Sequence, residues 1–143
     1  MELINFDVNR TLDELDGGAS ARGTMMSKSS KERKIPLRKL TTEELRIMIV
    51  QNRSLKYLVP LAIERLLKEP LLKGGQYAGD LINALLTVEK KFWVTDLNGY
   101  IPMIKSIIDK AEEITKKDPA TYEGYFQHTQ HAIKLFKPNI AAI

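Results

Sequence analysis

His128 and His131 are the histidines of this 143-residue chain, and on a helix their spacing of three would bring both imidazoles to one ion. Gln127, Gln130 and Lys134 occupy the adjacent turns, so a third ligand is missing. The helical wheel also points both rings away from the face of Tyr122, Phe126 and Ile133. The pair therefore reads as surface residues, with partner contact as their functional alternative. Glu43-Glu44 and Glu112-Glu113 are the paired acids that general acid–base chemistry would need. The first pair falls at a helix start, where the dipole favours carboxylates, and the second follows Asp109 on a polar helix face. No serine has a neighbouring histidine or a nucleophile-elbow pattern, and Gly74-Gly75 lacks the Lys-Ser/Thr that completes a phosphate loop. With no cysteine, disulfides, thiolate zinc sites and cysteine nucleophiles are excluded. The expectation is a protein that is not an enzyme and calls for neither cofactor nor metal.

Binding chemistry is better represented. Lys28, Lys31, Arg33, Lys34, Arg38 and Lys39 form a basic run that could be a solvated linker, a contact for an acidic protein, or a track for phosphates. It lacks the interleaved aromatic residues on which bases stack. A mixed surface is more promising: Arg46, Arg53, Lys56 and Tyr57 surround the junction of two predicted helices, and Gln76 and Tyr77 lie on a nearby loop. Arginine and aromatic side chains are the usual anchors of protein interfaces. Tyr57 and Tyr77 could equally be core residues.

These candidates must be positioned by helices. The composition, 43% hydrophobic with 8 Gly and 6 Pro, fits one soluble domain without a membrane span or secretory leader, at home in a reducing cytoplasm. Its net charge of +4 is unevenly placed: residues 1–21 hold five acids and one base, and residues 22–40 hold seven bases and one acid. Ile4, Phe6 and Val8 alternate with polar residues, as in an edge strand or a docked arm. Residues 17–34 read as a linker or mobile loop, because so few large apolar side chains there could bury little surface. The division is thus an N-terminal arm with a flexible basic linker, 1–36, and a helical domain, 37–143.

Within that domain Thr41 and Glu44 form a capping box that opens a helix over about 42–52. Leu45, Met48 and Ile49 make its apolar stripe, and Ile47 and Val50 widen it, predicting a central helix with neighbours on two sides. Ser54 can start the next segment, where Pro60 either kinks a continuous helix or opens a second one. Gly79 or Asp80 caps a helix carrying Leu81, Ile82, Leu85 and Leu86. Trp93 falls on a short helix or an irregular plug. The spacing of Ile101, Ile104, Ile108, Ala111 and Thr115 predicts a helix over 100–117, and Tyr122, Phe126, Thr129, Ile133 and Phe136 predict a final one ending near Lys137. The fold class expected is all-α, a compact single-domain bundle or array of about five to seven helices with an irregular N-terminal arm.

Residues 37–93 resemble the immunity proteins of contact-dependent growth inhibition (CDI) systems. The similar parts are the approach PLRKLTTEELRIMI, the segment LKYLVPLAIERLLKEPL, the loop and helix GGQYAGDLINALL, and FW some seven residues later, with TLDELDG upstream. Two departures stand at loops: Val50-Gln51-Asn52 replaces a Gly-Gln-Gly type turn, and Ala78 replaces a Pro before Gly-Asp. The resemblance implies a cytoplasmic antitoxin that binds the C-terminal toxin domain delivered by a neighbouring bacterium, often a nuclease, and blocks its active site or substrate entry. It also implies that Leu45, Leu58, Pro60, Leu61, Gly79, Asp80 and Leu81 serve the common scaffold. Specificity then falls on Arg53, Lys56, Gln76 and Tyr77, or on the His128 and His131 face of the last helix, where Leu135 also projects. An acidic patch of Asp7, Asp13, Glu14 and Asp16 offers a field for a basic toxin groove. The alternative reading is a small helical nucleic-acid-binding adaptor that uses residues 28–39.

Overall fold

A computed structural model describes residues 3–15, 30–94, 99–122, 132–134 and 136, and among them every regular element is helical. Short helices α1 (Leu12–Leu15) and α2 (Ser30–Arg33) and a 3-10 turn (Leu37–Lys39) lead into α3 (Thr42–Val50) and α4 (Leu55–Lys68). Then follow α5 (Asp80–Leu86), α6 (Lys90–Val94), α7 (Tyr100–Lys117) and α8 (Pro119–Tyr122). The all-α expectation holds. No helix of the described residues is long and apolar enough to cross a membrane.

The capping box forms as read. The Glu44 amide donates to Thr41 Oγ1 at 3.1 Å, and the Thr41 amide donates to Glu44 Oε1 at 2.8 Å. Replacing Thr41 by alanine is expected to cost about 1 kcal/mol of unfolding free energy, measurable by urea denaturation. At its other end α3 closes in a Schellman motif: Arg53 N–H donates to the Met48 carbonyl at 3.0 Å and Asn52 N–H to Ile49 at 2.9 Å. Asn52 takes the left-handed conformation this closure requires, at φ 55°. It stands at the turn where the resemblance leads one to expect glycine, and asparagine is the residue that best substitutes there.

The centre of the bundle is α4, which packs against α3, α5 and α7. It is one continuous helix with Pro60 inside it, so the sequence alternative of a second helix starting at Pro60 is not taken. Proline removes only the bond to the carbonyl of Lys56, an exposed residue of the first turn. Buried side chains ring most of α4, including Leu58, Val59, Ala62, Ile63 and Leu66. The central position expected for α3 therefore belongs to α4. Two neighbours, α4 and α5, do flank α3, but it meets them with Leu45, Met48 and Ile49; Ile47 and Val50, predicted to widen the buried stripe, stay 40% and 52% exposed.

Trp93 settles in a plug made by α6. Its ring is 1% exposed, its indole N–H donates to the Val88 carbonyl at 3.2 Å, and its edge-to-face partners are Phe92 and Phe136. Helix α7 matches its predicted span, with Ile104, Ile107, Ile108 and Ala111 turned inward. Of the predicted final helix, α8, residues 132–134 and Phe136 are described and helical; Phe126 and Thr129 lie outside the described residues.

Residues 3–10 form turns and bends, the docked-arm alternative to an edge strand. The Leu37 and Arg38 amides donate to the Arg10 and Val8 carbonyls at 3.0 and 2.9 Å, and Leu12 is fully buried in the common core. Of the linker read over 17–34, residues 17–29 lie outside the described residues; residues 30–33 form α2 instead of a linker, because Arg33 is buried there against Asp13.

Candidate functional site

Asp80 organises a polar cluster. Its helix begins after Gly79, whose φ of 91° is open to glycine at little cost and turns the carboxylate of the first helical residue back towards the preceding loop. There Oδ1 accepts the Gly74 amide, and Oδ2 accepts the Gln76 and Tyr77 amides at 2.9 and 3.3 Å. Arg46 Nε, on α3, lies 3.7 Å from Oδ2 with its side chain 14% exposed. A buried carboxylate that accepts several N–H groups and faces a guanidinium is well solvated by protein. Arg46, Gln76 and Tyr77 are thus drawn together: Gln76 is exposed, and Tyr77 is half-buried with its hydroxyl accepting from Asn83 at 2.8 Å.

Tyr57 serves the arm. Its hydroxyl donates to the Leu15 carbonyl at 3.3 Å, its ring meets Phe6 edge to face, and the exposed Lys56 ammonium lies 5.5 Å from the ring centre. Arg53 is half-buried in the turn that closes α3. His128, His131 and Leu135 lie outside the described residues. The seven positions read as common scaffold, Leu45, Leu58, Pro60, Leu61, Gly79, Asp80 and Leu81, are all buried.

The basic run is not uniform. Arg33 is 1% exposed; its Nε donates to Asp13 at 2.8 Å, and its terminal nitrogens reach Ser54 Oγ and the Leu12 carbonyl at 3.4 and 3.5 Å. Lys31, Lys34, Arg38 and Lys39 are exposed. The acidic patch is likewise spent locally. Asp13 holds Arg33, Glu14 pairs reciprocally with Thr11, and Asp7 accepts the Asn9 amide at 2.9 Å; Asp16 lies outside the described residues. Asp13→Ala is expected to cost about 2 kcal/mol, because it removes a short charge-assisted bond from a buried guanidinium, whereas Arg33→Met should be milder. Urea denaturation of the two variants would order them.

Sequence reading passed over Arg65, which ties α4 to the start of α3 by donating to the Leu40 carbonyl at 2.7 Å and to Thr42 Oγ1 at 3.3 Å. Burial draws its pKa below the ordinary guanidinium value, with Glu64 opposing. The capping box had marked the helix start beside it, but not the cation that secures it. Among the described residues no group of three His, Cys, Asp or Glu could hold a metal ion.

In comparison with known proteins, residues 14–100 match the family model of CDI immunity proteins, more than half of the chain. Neither a curated protein nor a solved structure matches.

Proposed function

Since the chain belongs to the CDI immunity proteins, we propose that it neutralises the C-terminal toxin domain, a nuclease, of a cognate CDI exoprotein by a tight and specific one-to-one complex in the cytoplasm. The observation that carries this reading is the family match, which spans α3, α4, α5 and α6 together with the loop that Asp80 organises. It is the reading of a binding protein and not of an enzyme. A rigid helical scaffold that presents polar and apolar side chains from fixed positions suits discrimination among related partners. Residues 37–143 carry the binding surface, and residues 1–36 brace it through Leu12, Phe6 and the Arg33 bond to Ser54 Oγ.

The nucleic-acid alternative is weaker, because Arg33 is committed to Asp13 and the exposed cations left in the run have no stacking partners among them. The test is copurification of the chain with the toxin domain encoded immediately upstream of it, followed by mass determination of the complex. A stable one-to-one species is expected. Two separate proteins, together with salt-dependent binding of this chain to bare RNA or DNA, would overturn the reading in favour of the adaptor.

A further inference from the structure

Helix α3 has one face that the described residues leave uncovered. On the helical wheel Glu43, Ile47 and Val50 lie opposite Leu45, Met48 and Ile49. Ile47 and Val50 are two of the three large hydrophobic side chains left exposed among the described residues. Both ends of this face are held. At the N-terminal end the loop approaches so closely that a Cβ added to Gly75 would fall 2.7 Å from the Glu43 carboxyl carbon, and Asp80 fixes that loop. At the C-terminal end Asn52 ends α3 and its Oδ1 accepts the Glu89 amide at 3.3 Å. Such preorganisation lowers the ordering cost of association.

The charges around the face are unequal. Arg46, on its flank, is engaged by Asp80, while Glu43 makes no ion pair with a described residue. The face therefore has an aliphatic centre, a polar surround including Gln76 and Gln51, and one carboxylate without a counter-charge. An apolar centre inside a polar rim is the anatomy of a specific protein interface.

We infer that the toxin domain docks on the outer face of α3, setting an aliphatic or aromatic side chain against Ile47 and Val50 and a Lys or Arg against Glu43. This rests on the proposed function and adds the surface and the chemistry of the partner. The probe is a catalytically inactive form of the toxin domain encoded upstream, with affinity measured by biolayer interferometry. Ile47→Asp and Val50→Asp should each weaken binding at least about 30-fold and Glu43→Lys about 10-fold. Lys110→Glu, on the exposed side of α7, should change nothing. Circular dichroism should show the same fold for all four variants. Should an Asp variant fail to fold, Ile47→Ala and Val50→Ala decide instead, with an expected loss of about 10-fold when combined.

Wild-type binding that these variants leave intact would overturn the α3 surface while sparing the toxin-binding function. Absence of wild-type binding would overturn both. A wild-type dimer that Ile47→Asp converts to monomer, with toxin affinity unchanged, would assign the face to a second copy of the chain and overturn the inference.

Discussion

Asp80→Ala is expected to lower the unfolding free energy by about 3–5 kcal/mol. The carboxylate accepts the amides of Gly74, Gln76 and Tyr77 and faces Arg46, so its removal orphans several donors and leaves a largely buried guanidinium without its counter-charge. Alanine adds little helix stability in return, because Asp80 sits in the first turn, where an acid is already favoured. Asp80→Asn should be intermediate: one oxygen still accepts, but the amide NH2 meets N–H donors. Urea denaturation followed by circular dichroism measures all three proteins. A loss below about 1 kcal/mol for Asp80→Ala would show that the loop stands without its carboxylate.

Trp93→Ala should be comparably severe, at about 3–5 kcal/mol. The ring is almost fully enclosed, and it joins α6 to the segment carrying Phe136 through an edge-to-face contact at 5.8 Å. Truncation leaves a void bordered by two other aromatic rings, which α6, a five-residue helix, has little means of collapsing. Trp93→Phe keeps most of the apolar volume and loses the bond to Val88, for an expected cost of about 1–2 kcal/mol. Thermal unfolding by circular dichroism separates the two variants, and equal melting temperatures would contradict a packing role for the ring.

The helices were legible where spacing and caps agreed. Thr41 and Glu44 marked the start of α3, and the isoleucines from Ile101 onward marked the span of α7, because local hydrogen bonding and one apolar face determine both. Three kinds of fact were not local. Asp80 could be read as a helix cap but not as the acceptor for a loop preceding it and the neighbour of a cation on α3. Arg33 reads as one more charge in a basic run, since its partner Asp13 belongs to another element and only folding brings them to 2.8 Å. Ile47 and Val50 look like core, because periodicity records that a side chain is apolar and not whether the chain itself covers it.

The proposed site shows the same division. Arg46, Gln76 and Tyr77 were singled out from residue type and neighbourhood, and they do share a cluster, though Tyr77 bonds within it and Arg46 faces Asp80 there as an ion pair. Tyr57, equally plausible as anchor or core, holds the arm through Phe6 and Leu15. The aliphatic centre that we assign to the interface carried no interface signal in one sequence.

The central claim is protection by capture of a toxin domain, and a growth assay tests it most directly. Cells expressing the toxin domain encoded upstream would be given either this chain or an empty vector. The account predicts that the chain restores growth to the rate of toxin-free cells; arrest that persists while the chain accumulates in folded, soluble form would contradict it.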